Sequence, residues 1–348
     1  MNRLLPLAHA KAIMACMLIA ISAHGEVSQE SAKKFAQDLT NAKSGSSSAQ
    51  FDVGVAYFLG IGVEVDQVKA VEWFQKTDDP AANFYLGECY YFGLGGLEKN
   101  LRSAYVQYVF ATKTRDEDHL YIARESCYAV ACAHDKGEGV KEDPKTALGW
   151  FKAAAERGHR AAQFQVAIRL KDAKWLRLAA EQGHPAAQMQ LGLVLNEGGW
   201  GTQQDIKEAV SWFRKSADQG NVISQSQLGE YYRIGRGVEK DLSKSAFWFK
   251  KAADQGHSWS QHRLGTCLRL GEGLPKDEIE AYAYLNLAGA SDEEARSELT
   301  ELEKSMSPDA RIFGQQRTKQ LSKQIEGRVE NTEDLRKAIE RENLRKGA

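Results

Sequence analysis

Few residues in this chain have the types and spacing that catalysis or metal binding requires. Ser31 and Lys34 form a serine-x-x-lysine pair, in which a lysine one helical turn away could take the proton of a nucleophilic hydroxyl. Its companion motifs, Ser-Asp-Asn and Lys-Thr-Gly, are absent, so the pair reads as a solvated helix face. The run "GLGG" at 93–96 has the composition of a phosphate loop, but no strand pattern precedes it. His159, His184 and His257 each follow a glycine by one residue, a place held by Asn221 in another copy. That recurrence suits turn chemistry better than metal ligation. Cys89, Cys127, Cys132 and Cys267 make no CxxC and no Cys/His ligand spacing, and read as small buried residues with free thiols. No GxSxG, HExxH or calcium-loop pattern occurs. The expectation is therefore no catalytic residue, no metal, no cofactor and no enzyme.

What positions these residues is a repeat. "DKGEGVKEDPKTALGWFKAAAERGH" from Asp135 to His159 returns as "RIGRGVEKDLSKSAFWFKKAADQGH" from Arg233 to His257. A two-residue anchor, "VG", "LG" or "VA", starts at Val53, Leu86, Val130, Val166, Leu191, Leu228 and Leu264, giving seven units over 49–291. Each unit reads as two helices. The first ends in a Gly-x-Gly turn, as at Gly235 and Gly237, where glycine suits the left-handed closing residue. Asp66, Asn100, Asp143, Asp205, Asp241 and Asp277 stand as N-caps of the second helix, with Pro144 at a first helical position. That helix carries an aromatic pair: Trp73-Phe74, Trp150-Phe151, Trp212-Phe213 and Trp248-Phe249. One such hairpin cannot bury both faces, whereas stacked hairpins can. The fourth unit lacks the Gly-x-Gly turn and is about a dozen residues short, with Asp172 near its junction and Trp175 in the aromatic slot. It is expected to be the first interface to open.

"QLGEYYRIGRGVEKDLSKSAFWFKKAADQG" resembles the Sel-one-like repeat, a relative of the tetratricopeptide repeat with a longer inter-helix turn. The closing stretch "EAYAYLNLAGA" at 280–290 is similar to the ends of exported bacterial members. The resemblance implies an all-α fold, a right-handed α/α solenoid of about seven helix-turn-helix repeats whose concave side holds partners. It also implies an adaptor role in cell-envelope assembly, signalling or host contact. The cysteine-rich branch of that family staples its helices with disulfides. Here Ala154 and Ala180 lie near the bridge positions, so enzymatic claims from that branch do not carry over.

Residues 1–25 read as a secretory signal, with Arg3 and Lys11 before the apolar run "AIMACMLIAISA" and a cut before Glu26. An uncleaved anchor and lipid attachment at Cys16 are the alternatives. Residues 26–48 read as a helix and a Ser/Gly linker, and 292–348 as a charged helical cap and tail with Pro308 starting or dividing helices. A net charge of -1 gives no field to gather nucleic acid.

Candidate partner-binding positions lie on the first helices. Two residues before the anchor come Phe51, Phe84, Tyr128, Phe164 and later His262. Glu88 and Glu230 lie just past the anchor, and Arg233 and Arg269 farther along. The aromatics either pack between units or form the apolar end of a peptide groove whose other end is polar. The functional expectation is an exported adaptor, periplasmic or secreted, that binds a protein, a peptide or an envelope polymer. The alternative is an envelope enzyme or glycan-binding protein with an unrecognised site.

Overall fold

The computed structural model describes residues 28–115 and 119–346, with side chains up to residue 327. The expected signal segment lies outside the described residues. All regular structure described is helical, in seventeen helices with no strand. Fourteen of them form seven pairs. The first three pairs are Ser47–Leu59 with Gln67–Lys76, Pro80–Phe92 with Leu101–Ala111, and Leu120–Lys136 with Pro144–Glu156. The fourth is Arg160–Leu170 with Ala173–Glu181. The last three are Pro185–Glu197 with Ile206–Asp218, Val222–Ile234 with Leu242–Ala253, and Ser258–Leu270 with Glu278–Ala288.

The pairs form where local chemistry stops one helix and starts the next. The Asp241 side chain accepts from the Lys244 backbone N–H, and Asn100 and Asp205 do the same at Ser103 and Glu208. The second glycine of each Gly-x-Gly turn makes a close approach as well as a turn. At Gly95, with φ +63°, an added Cβ would stand 2.5 Å from the backbone oxygen of Gln67 in the preceding repeat.

Inside each pair the anchor glycine receives the ring of the second helix. A Cβ on Gly192 would lie 2.7 Å from Phe213 Cε1. Phe74, Tyr108, Phe249 and Leu285 fill the matching places over Gly54, Gly87, Gly229 and Gly265. Ala131 and Ala167 replace the glycine in the third and fourth repeats.

The chain divides into two compact units, one running to Val166 and the other from Ala167 to Ala338. The boundary falls inside the first helix of the short fourth repeat. Ala162 and Val166 on that repeat's first helix, and Leu176, Ala179 and Ala180 on its second, are each fully buried. Asp172 caps its second helix by accepting from the Lys174 N–H. Its turn is closed by Lys171 at φ +52°, where other repeats place glycine; a left-handed non-glycine costs about 1–2 kcal/mol. Its helices have 11 and 9 residues against 13 and 12 in the sixth repeat. Shorter helices and a strained turn lower local stability. Native-state hydrogen exchange is expected to show faster amides over 160–184 than over 225–256. Equal protection would remove the weak-repeat reading.

At the N-terminal end, helix Gln29–Lys43 leads into a tight turn at Ser44 and Gly45. Ser46 then caps the first repeat helix by accepting from the Ala49 N–H, so the serine run starts a helix where a linker is the expectation from composition. At the other end Glu293–Ser305 is followed by a long helix opening at Pro308, which suits proline at a first position. Leu302 and Leu321 from these two helices join the core cluster around Leu264, Tyr284 and Leu285.

Candidate partner-binding site

The first helices hold the candidate residues, and the structure sorts them by burial. In the first unit Phe51, Phe84, Glu88 and Tyr128 are buried and Phe164 is half-buried. Phe51 lies 6.3 Å from the Phe74 ring of its own repeat and 5.9 Å from Tyr85 of the next. Tyr128 stacks on His159 with centroids 4.2 Å apart. The buried aromatics therefore fill the space within and between repeats, because stacked hairpins need large side chains at their junctions.

The position two before the anchor thus faces the interior, and the accessible stripe lies one residue later. In the second unit this stripe comprises Gln190, Leu193 and Asn196, then Gln227, Glu230 and Arg233, then Arg263, Thr266 and Arg269, all half-buried. Arg233 donates to both oxygens of Glu230 at 2.8 and 2.5 Å, which holds the Glu230 carboxyl below its usual range. Arg263 stands 3.9 Å from the same carboxylate, linking consecutive repeats.

His262 leaves the candidate row. It is 3% exposed, with Nδ1 2.9 Å from Asp292 and Nε2 3.3 Å from Glu298. Arg269 also donates to Glu298, at 3.2 Å. Helix Glu293–Ser305 supplies Glu298 and so covers the stripe at its last repeat.

The recurrent histidines are helix caps, as turn chemistry requires. His184 Nδ1 accepts from the Ala187 N–H and His257 Nδ1 from Ser260, as Asn221 Oδ1 does from Ser224. Burial lowers the His257 pKa and so favours the neutral ring, whose Nδ1 accepts from the Ser260 N–H. At His159 the Nδ1 bond to Ala162 leaves Nε2 to donate to Glu125 at 3.1 Å.

The four cysteines in the described residues are free, and burial pushes the Cys89 and Cys132 thiols up to about 12. No group of three or more His, Cys, Asp or Glu side chains among the described residues is placed to hold a metal.

One repeated signal escaped the sequence reading. Four residues after five of the seven first-helix caps stands a glutamine: Gln50, Gln163, Gln188, Gln225 and Gln261. Each donates its amide to the carbonyl eight residues earlier, at the end of the preceding helix, as Gln225 does to Ala217 at 3.1 Å. Gln219 and Gln255 then donate to Gln188 and Gln225, satisfying their oxygens. These bonds stitch repeats together and are structural.

The comparisons agree with this architecture. The profile of the Sel1 repeat matches residues 47–77, 80–105, 124–159, 173–184, 185–221, 222–257 and 260–292. The crystal structure of c5321, a protective antigen of uropathogenic Escherichia coli displaying an SLR fold, is 25% identical with a TM-score of 0.57. That alignment covers 89% of this chain and 75% of the other. A Sel1 repeat protein from Oxalobacter formigenes is 25% identical with a TM-score of 0.56, over 82% of this chain and 85% of its own. No curated protein matches the sequence.

Proposed function

The chain belongs to the Sel1 repeat family of helical repeat scaffolds that mediate protein interactions, and we propose that it is an exported adaptor without catalytic activity. The observation that carries this reading is the stripe of the second unit. Gln190, Gln227 and Arg263 recur at one position of three consecutive first helices, followed at three-residue spacing by Leu193, Glu230 and Thr266. A row of half-buried amide, charged and small apolar groups on rigid helices suits hydrogen bonding to an extended polypeptide. Protein or peptide partners fit it best, with an envelope polymer as the other occupant.

Residues 1–25 support export to the periplasm or beyond, and among the described residues no helix is long and apolar enough to cross a membrane. The process served is cell-envelope assembly, signalling or host contact. The protective-antigen description of the Escherichia coli relative accords with export.

The test uses chain purified from the cell envelope fraction, its N-terminus read as Glu26 by mass spectrometry, as bait in envelope extract. A second bait carries Gln190→Arg and Gln227→Arg, which place bulk and charge on the stripe. Partners held by the native bait are expected to be lost from the variant and to be recovered chemically unchanged. Equal yields from both baits would sink the stripe, and cleavage of bound material would favour an enzyme.

A further inference from the structure

The second and third repeats line a cavity of about 40 Å³, wholly within the first unit. Its wall carries two carboxyl groups, Glu88 and Glu138, and four tyrosines, Tyr91, Tyr105, Tyr108 and Tyr128. No lysine, arginine or histidine lines it. Glu88 is 3% exposed and receives a hydrogen bond from the Tyr108 hydroxyl at 2.6 Å. The Tyr91 hydroxyl donates to Glu138 at 3.3 Å. Among the described residues Glu88 forms no ion pair, although a buried carboxylate is ordinarily matched by a cation.

We propose that this cavity binds a primary alkylammonium group, the charged end of a lysine side chain or of a free amine, with Glu88 as its counter-ion. It stands apart from the stripe of the second unit and does not depend on it. The lining is mostly apolar. The N–H donors would be accepted by the Glu88 carboxylate and the Tyr91 and Tyr108 hydroxyl oxygens beside the carboxyls, and tyrosine rings favour a cation in a desolvated place. Room for one or two water-sized groups admits an unbranched ammonium. A guanidinium or a quaternary head is larger, and the quaternary head has no N–H to donate.

The site predicts proton linkage. Burial raises the Glu88 acid to about 7, against the lowering effect of the Tyr108 hydroxyl and with a further rise from Glu125 on the next repeat. Burial keeps the Tyr91 and Tyr108 hydroxyls and the Cys89 and Cys132 thiols protonated near neutrality. The Lys136 ammonium acts on Cys132, and His134 lies against Tyr105 at 3.3 Å. An ammonium entering below the Glu88 midpoint must therefore displace one proton, so its affinity falls about tenfold per pH unit there.

Ligand-observed NMR titrations of the full chain with n-butylammonium, n-butanol, tetramethylammonium and Nα-acetyl-lysine methylamide test this. n-Butylammonium is expected to bind saturably and at least about tenfold more tightly than n-butanol, with Kd rising about fivefold from about pH 7 to about pH 6 and about tenfold for the next unit down. Glu88→Gln should lose at least about tenfold in affinity and all of that pH dependence. Tighter binding of the lysine derivative identifies a polypeptide source and tighter binding of n-butylammonium a free amine, and both support the proposal. Absence of saturation, equal binding of n-butanol or tetramethylammonium, or an affinity indifferent to pH would overturn it. If Glu88→Gln does not fold by circular dichroism, the pH series and the alcohol comparison on the native chain decide.

Discussion

Phe249→Ala should lower the free energy of unfolding by about 3–5 kcal/mol, as loss of a fully buried aromatic does when its surroundings cannot collapse. Phe249 is 0% exposed, and its ring covers the backbone of Gly229 on the partner helix of its repeat. It also meets Trp259 edge-on at 5.5 Å and shares a core cluster with Leu264 and Leu285 of the next repeat. One side chain therefore closes a hairpin and seals its junction with the following one. Regular helices on both sides hold their backbones in place, which keeps the vacated space open. In an array stabilised by nearest-neighbour contacts, the loss should appear as earlier opening of the sixth and seventh repeats. Urea titration followed by circular dichroism, with hydrogen exchange locating the opening, measures both. A loss below about 1 kcal/mol would mean that the ring is not the junction's main filler.

The parts of this architecture that the sequence disclosed are those governed by local chemistry. Asp66, Asn100, Asp143, Asp205, Asp241 and Asp277 announce helix starts because a short polar side chain is needed there to accept a free N–H. Their regular distance from a closing glycine makes the repeat visible. The partner face was harder to place, and the reason lies in the first helices. In Val222–Ile234, Leu228 and Gly229 are buried, but so are Ser224, Gln225, Ser226, Tyr231 and Tyr232. A helix buried on most sides by both hydrophobic and polar residues gives a weak periodic signal, so the aromatic row two before the anchor is read one residue off the accessible stripe, while Glu230, Arg233 and Arg269 lie on it. Phe51 and Phe84 look like recognition residues for that reason, whereas Gln190 and Gln227 do the facing outward. Gln225 fails the other way. Its type suggests surface, and only the carbonyl of Ala217 explains its burial.

Glu88→Gln should stabilise the protein at alkaline pH and leave it unchanged in acid. In the unfolded chain the carboxyl titrates near its usual 4.5, and in the folded chain near about 7. Between those values the folded state holds a proton that the unfolded state has released. Stability contributed by this site is therefore full below about pH 4.5 and is lost as pH rises through about 7. The span corresponds to about 3 kcal/mol, the cost of ionising a carboxyl that burial has stripped of water. Glutamine has the same shape and can still accept from the Tyr108 hydroxyl, but it never ionises. The difference between variant and native chain should thus rise from near zero at about pH 4.5 to about 3 kcal/mol at about pH 8. Taking the difference cancels the titration of the shared groups that do not interact with Glu88, so the slope belongs to Glu88 and its coupling to Glu125. Urea midpoints across that range supply the measurement. A difference that stays flat, or a variant weaker than the native chain at about pH 8, would show that Glu88 is ionised and already paired in the folded protein. The opposite result would mean that the chain tolerates a strained acid whose charge only an incoming cation relieves, since Tyr108 offers a hydrogen bond and no positive charge.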